Sequence, residues 1–299
     1  MPYRLPFAMT KFDIHYCSDI YSAVISMAKS LTFSTFPPNN TLNKNVIPIV
    51  LLHGWGLNSG VWQPLLDLFQ ANKENNYQLI TIDLPGFGIN SAVDIKPYSL
   101  TDICHHIEQV IDQPAIYLGW SLGGLIATEM SLKHPEKVLA LISVASSPYF
   151  VEQTDDNWPG IKENVLASFH KQLAQDTAKT ISGFLKIQAM GSPHIRQDLK
   201  LITQLVMAHA LPSQQILANS LALLSQCDLR EHLSNIKQPF LRLYGHNDSL
   251  VPKGVIGKIN HLAPNSEHHL FDNASHAPFI SHLDNFHQVL VAWLDSHFN

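Results

Sequence analysis

The stretch Tyr117-Leu118-Gly119-Trp120-Ser121-Leu122-Gly123-Gly124 constrains this chain more than any other. The apolar run from Pro114 to Trp120 reads as a buried strand, and Leu122 to His134 reads as a helix starting one residue after Ser121. A strand that becomes a helix so abruptly leaves the serine on a sharp, strained corner crowded by neighbouring backbone. Gly119 and Gly123 relieve the crowding because neither has a Cβ. The G-x-S-x-G pattern is weak by itself, and the strand–turn–helix setting is what gives it weight. The helix start also aims free backbone N–H groups at the serine, where a negative oxygen would be stabilised. Ser121 is the candidate nucleophile; the plainer reading is a tight turn with an incidental serine.

The flanking segments place this corner in a larger pattern. Ile47–Leu52, Gln78–Ile82 and Val138–Val144 are further apolar runs of strand length, as expected for strands buried on both faces. Helical segments alternate with them: Val61–Phe69, then a helix opened by the capping box Ser99-Leu100-Thr101-Asp102, with Ile103, Ile107 and Val110 on one face. The resulting β-α-β-α-β-α-β order predicts an α/β fold, a mostly parallel sheet flanked by helices. From 146 to 233 the pattern changes to helical periodicity alone, broken at Pro159-Gly160, Gly191-Ser192-Pro193 and Leu211-Pro212. That is too long for an ordinary connection, and an all-helical lid over the serine is expected. The core is expected over 46–145 and 234–299. Residues 1–45 are an extension of unclear role, with a short strand over Phe12, Ile14 and Tyr16, a weak helix from Ile20 to Leu31, and a linker at Pro37-Pro38-Asn39-Asn40.

Composition removes several function classes. A net charge of −5 without a basic run gives no pull toward nucleic acid or anionic membrane. No apolar run approaches the ~18 residues needed to span a bilayer. Three widely spaced cysteines form no disulfide framework, and the first thirty residues lack a secretory pattern, so a cytoplasmic protein is expected. The 17 histidines include adjacent pairs but no metal-ligand spacing. No metal, cofactor or second subunit is called for; a monomer is expected.

The remaining chemistry lies on loops after strands. Pro239–Tyr244 leads into Asp248, and Ser266–Phe271 leads into His276. Ser121, Asp248, His276 is the chain order of α/β-hydrolase triads. A serine hydroxyl needs a base to remove its proton; His276 takes that role, with Asp248 holding the imidazole tautomer. The backbone N–H groups of Leu122 and of Trp55, in the loop His53-Gly54-Trp55-Gly56, are the expected oxyanion donors. Asp272 competes for the acid role and His246 for the base. Asp83 precedes the serine and is expected to tie down its own Pro-Gly turn. A serine, in place of a carboxylate, at the corner predicts acyl transfer to water through an acyl-enzyme.

At finer grain the chain resembles the pimeloyl-[acyl-carrier protein] methyl ester esterases of biotin synthesis over about residues 46 to 297. The likeness is carried by His53-Gly54-Trp55-Gly56-Leu57-Asn58, Asp83-Leu84-Pro85-Gly86-Phe87-Gly88, Gly119-Trp120-Ser121-Leu122-Gly123-Gly124, Trp158-Pro159-Gly160-Ile161, Phe240-Leu241-Arg242-Leu243-Tyr244-Gly245 and His276-Ala277-Pro278-Phe279-Ile280-Ser281-His282. The resemblance implies hydrolysis of a methyl ester at the far end of a pimeloyl chain borne on acyl-carrier protein. It further implies substrate contacts from Trp55, Ser121, Leu122, His276 and the lid run Phe184, Leu185, Lys186, Ile187 and Gln188. Lys179, Arg196 and Lys200 match basic positions that meet the acidic carrier, while Gly183 stands where another basic residue is expected. Residues 150–230 hold seven Lys/Arg against seven Asp/Glu, so any basic patch is local. Esterases of small acyl groups, C–C hydrolases and aminopeptidases share the fold and triad; a non-catalytic receptor is disfavoured by the complete Ser, His and Asp set.

Overall fold

A computed structural model describes residues 30–38, 46–72, 75–190, 192–207 and 211–298. Seven strands form one sheet: β1 (Phe33–Phe36), β2 (Ile47–Leu52), β3 (Tyr77–Ile82), β4 (Ala115–Trp120), β5 (Val138–Val144), β6 (Phe240–Gly245) and β7 (Glu267–Phe271). Their order across the sheet is β1-β3-β2-β4-β5-β6-β7. All neighbours are parallel except β1 against β3. The central strand β4 is buried at every position because helices cover both faces, which is why its sequence shows no alternation.

The helices of the core are α1 (Gln63–Ala71), α2 (Leu100–Val110) and α3 (Leu122–Lys133), the last buried from Leu122 through Ser131. Ser99 caps α2 as its sequence predicts, accepting from the Asp102 N–H at 3.1 Å. Four helices make up the insertion: α4 (Glu163–Gln175), α5 (Thr177–Ala189), α6 (Ile195–Val206) and α7 (Gln214–Gln226). The core resumes with β6, then α8 (Gly254–Leu262), β7, a single helical turn at Pro278–Ser281 and α9 (Leu283–Phe298).

The insertion is clasped where it leaves and rejoins the core. Leu229 N–H donates to the Pro148 carbonyl at 2.9 Å. The Arg230 guanidinium pairs with Asp156 at 2.7 Å and Asp228 at 2.6 Å while lying over the Tyr149 and Trp158 rings. Arg230 is thus held by residues from both ends of the lid.

Two expectations are corrected. Part of the segment assigned to an N-terminal extension belongs to the sheet: Phe33–Phe36 pairs with Ile82–Leu79. Thr32 exchanges two hydrogen bonds with the Asn90 side chain, at 2.8 and 2.9 Å. Three of the four β1 residues are exposed, so an edge strand of this kind leaves no apolar run to read. The strand expected around Phe12–Tyr16 lies outside the described residues, as does the helix over 20–31 except for Ser30 and Leu31, which lie in non-helical chain with Leu31 buried. The helix expected over Val61–Phe69 instead begins with a 3₁₀ turn, Ser59–Trp62, capped by Asn58.

Candidate active site

The strain expected at Ser121 is present: its backbone sits at φ 55°, ψ −116°, a region non-glycine residues avoid. Surrounding bonds hold it there. Ser121 N–H donates to the Val144 carbonyl at 2.9 Å, and Ser146 Oγ donates to the Ser121 carbonyl at 2.8 Å. A Cβ on Gly119 would lie 2.1 Å from the Gly123 carbonyl oxygen, and one on Gly123 would lie 2.2 Å from that of Leu52. Both glycines are steric requirements of the corner.

The loop after β2 reaches the same point. A Cβ on Gly54 would come 3.4 Å from Ser121 Cβ, so Trp55 follows directly beside the candidate nucleophile. His53 fixes this loop: its Nδ1 is 2.8 Å from the Gly54 carbonyl, and its Nε2 accepts the Leu84 N–H at 3.0 Å. Those two bonds define a neutral imidazole protonated on Nδ1. Burial lowers the His53 pKa, against a smaller opposing effect of Asp83. Asp83 accepts from the N–H groups of Ser59 at 2.5 Å and Ile89 at 2.8 Å, joining two loops as a structural carboxylate.

Asp248 and His276, far apart in sequence, meet beside Trp120, the residue before Ser121. Asp248 Oδ2 lies 2.8 Å from His276 Nδ1, with both side chains fully buried. Asp248 Oδ1 accepts from Leu250 N–H at 2.8 Å and Val251 N–H at 3.0 Å, which fixes the carboxylate. His276 Nε2 is buried without a hydrogen-bond partner among the described residues. An Nδ1 proton held by the acid leaves the Nε2 lone pair free to take a proton. The rivals pair with each other: His246 Nδ1 is 3.3 Å from Asp272, whose side chain is 86% exposed. Lys253 Nζ approaches His246 Nε2 at 2.6 Å.

Leu122 is the first residue of α3 and wholly buried, so its N–H has no intrahelical acceptor. The lid closes over this arrangement. Trp55 stacks edge-on against Phe184, ring centroids 4.8 Å apart, and Phe184 in turn against Phe169 at 5.8 Å. Ser121 is 2% and His276 1% exposed. A cavity of about 380 Å³ elsewhere, at the clasp of Trp158, Arg230 and Lys258, includes none of these groups.

The run Phe184–Gln188 is divided between two helix faces. Phe184, Leu185 and Gln188 are buried, and the Gln188 amide oxygen and nitrogen both lack partners among the described residues. Lys186 is exposed. Ile187 lies with Gly183, Val165 and Phe169 along a groove of about 330 Å³ between α4 and α5. Phe184 thus meets Trp55, while Ile187 lines the α4–α5 groove. Lys179, Arg196 and Lys200 are exposed and form no ion pair among the described residues.

Three contacts were not anticipated from sequence. Trp120 Nε1 donates to the His276 carbonyl at 2.8 Å, Ser275 Oγ donates to the Met190 carbonyl of the lid at 2.5 Å, and Asn58 Nδ2 donates to the Val206 carbonyl of α6 at 2.8 Å. Only Asn58 left a local signal, an Asn before a short helical turn.

Residues 47–283 match the family model described as alpha/beta hydrolase fold. Among solved structures, the chain is similar to an esterase from Exiguobacterium antarcticum at 23% identity and TM-score 0.77, covering 89% of this chain and 95% of that one. MenH from S. aureus is 21% identical with TM-score 0.70 and coverage of 89% and 99%. The enol-lactonase from Burkholderia xenovorans LB400 is 15% identical with TM-score 0.75 and coverage of 89% and 96%. At these identities the likeness is one of fold.

Proposed function

The chain belongs to the alpha/beta hydrolase fold family, and from that membership we propose that it is a serine carboxylesterase acting through Ser121, His276 and Asp248. The observation that carries this reading is the buried Asp248–His276 pair at 2.8 Å, whose second imidazole nitrogen is unpartnered among the described residues and whose loop is bonded to Trp120, the residue before the strained serine. Ser121 Oγ attacks the ester carbonyl while His276 Nε2 takes its proton. The resulting imidazolium is stabilised by Asp248, and the tetrahedral oxyanion by the N–H groups of Trp55 and Leu122. Collapse breaks the ester C–O bond, and His276 returns the proton to the departing alcohol. Water then attacks the acyl-enzyme through the same base, releasing the acid and restoring Ser121.

The substrate we assign is the methyl ester of a pimeloyl chain carried on acyl-carrier protein, hydrolysed in the cytoplasm to the free carboxylate and methanol for biotin synthesis. The supporting features are the sequence resemblance, the apolar surfaces of Trp55, Phe184 and Leu185 suited to methylene groups, and the exposed Lys179, Arg196 and Lys200 for an acidic carrier. Gln188, one turn on from Phe184 in α5, offers a buried donor and acceptor for a polar group of the acyl chain.

The test compares kcat/KM for the carrier-linked methyl ester with that for the same ester without the carrier, using Ser121→Ala as control. Strong preference for the carrier-linked ester, lost in the variant, supports both levels of the reading. Fast turnover of small esters with none on the carrier-linked one keeps the esterase and sinks the substrate. That second reading, a small-ester esterase, is favoured by Gly183, which puts no cation at its place on the lid.

A further inference from the structure

The oxyanion loop is held by the lid as well as by the core. The Trp55 indole donates to the Leu217 carbonyl of α7 at 3.0 Å, and its ring meets Phe184 of α5. Three residues on, Asn58 is 3% exposed and uses both ends of its amide. Its Oδ1 accepts the Gly60 N–H at 3.0 Å, and its Nδ2 donates to the Val206 carbonyl at 2.8 Å. Val206 closes α6, where the last carbonyls have no intrahelical donor, so the bond satisfies a group the helix leaves open. Gly60 brings α6 closer still: a Cβ there would lie 2.5 Å from the Leu205 carbonyl oxygen.

From these contacts we infer that Asn58 is a positioning residue through which the seated lid sets the Trp55 N–H for the oxyanion. This rests on the serine esterase reading. With Ser121 and His276 almost wholly covered, substrate reaches them only when the lid moves. Movement of α6 and α7 releases Asn58 and the Trp55 indole together, and the loop loses both outer supports. Closure over a bound ester restores them, so the oxyanion donor is assembled when the site is closed. The arrangement couples stabilisation of the transition state to lid closure without adding to ground-state binding.

Asn58→Asp keeps the acceptor that caps the 3₁₀ turn and removes the donor to Val206. Gly60→Ala keeps the Asn58 amide but crowds it, since the new Cβ would lie 2.5 Å from the Leu205 carbonyl oxygen and 2.9 Å from Asn58 Oδ1, and it forces the loop and α6 apart. Each variant is assayed on p-nitrophenyl butyrate and titrated with a trifluoromethyl ketone, whose adduct with a serine places an oxyanion in the hole. The expected result for both is a fall in kcat of about 10- to 100-fold and a parallel weakening of ketone affinity, with KM within about threefold. A purely structural role would lower the folded fraction and leave those ratios intact. Variants that keep kcat and ketone affinity within about twofold of the parent overturn the inference, as does a rise in KM alone. Hydrogen exchange on the unmodified chain adds an independent arm: the ketone is expected to protect residues 53–60 and 200–206 together. Protection of the loop alone overturns the coupling even where a variant fails to fold. An unmodified protein that neither turns over the ester nor binds the ketone removes the esterase reading itself, which separates the two failures.

Discussion

Trp120 donates its indole N–H to the main-chain carbonyl of His276 at 2.8 Å, so the residue before the proposed nucleophile carries the loop of the proposed base. Ring contact between the two, at 5.8 Å, adds to the link. Trp120→Phe keeps an aromatic ring and leaves the buried carbonyl unpaired, a cost of about 1–3 kcal/mol. The expected result is lower stability by that amount in urea unfolding, with kcat lowered about tenfold as the imidazole loses its alignment. A variant with undiminished kcat would show that the base loop needs no help from the elbow.

Asp248→Asn tests the acid more sharply than deletion. Asparagine retains the shape but offers an amide to His276 Nδ1, favouring the tautomer with its proton on Nε2, the wrong nitrogen for a base. The expected loss in kcat is about 10⁴-fold, with a folded chain by circular dichroism. Asp272→Asn, on the exposed carboxylate paired with His246, is expected to leave kcat unchanged. Reversal of the two outcomes would move the acid to Asp272.

The sheet was legible wherever strands are buried on both faces, because β2, β4 and β5 must be apolar throughout. The helical insertion was legible from its periodicity, and chain order combined with position after strands singled out Asp248 and His276, which lie 2.8 Å apart. The edge strand β1 and the bonds that end on main-chain acceptors were not. β1 exposes Phe33, Ser34 and Thr35, and the bonds from Trp120, Asn58 and Ser275 end on carbonyls that any residue would supply. The division of Phe184–Gln188 between two faces follows from 3.6 residues per turn; which face meets Trp55 depends on how α5 packs.

Two glycines predict opposite outcomes for one substitution. Gly119→Ala puts a Cβ against main chain of the elbow, where nothing can yield without moving β4 or α3. It is expected to destabilise by about 3 kcal/mol or more. Gly183 lies inside α5, and a Cβ there meets nothing within 4 Å. Gly183→Ala is expected to stabilise by roughly 0.5–1 kcal/mol through helix propensity. Urea unfolding of both variants checks the contrast; destabilisation by Gly183→Ala would mean that the α4–α5 groove is tighter than described.

Acid is expected to weaken the fold before it touches any carboxylate. Burial lowers the pKa of His53, His268, His282 and His287 from the ordinary 6.5, with Arg242 adding to the effect at His268. In the unfolded chain these groups take protons near the ordinary value, whereas the folded protein resists until lower pH. The unfolded state thus binds more protons between the two values, and stability falls as pH drops below about 6.5. Above about pH 7.5 the contribution is flat. Urea unfolding from pH 7.5 to 5.5 measures the slope, and His287→Gln is expected to reduce it. Stability that rises on acidification across this range would contradict the assignment.

Gln188 separates what the lid does for the fold from what it does for substrate. Its side chain is fully buried with neither amide atom paired among the described residues, a costly state unless something else occupies that hydrogen-bonding capacity. Gln188→Leu keeps a similar volume and removes both polar atoms. The free protein is expected to gain about 1–3 kcal/mol, seen as a higher Tm. If Gln188 meets a polar group of the acyl chain, the same substitution lowers kcat/KM on the carrier-linked ester while leaving p-nitrophenyl butyrate, which lacks that group, nearly unaffected. Higher stability with equal activity on both substrates would make Gln188 a feature of packing alone. Lower stability would mean that the amide is already satisfied, by water inside the closed site.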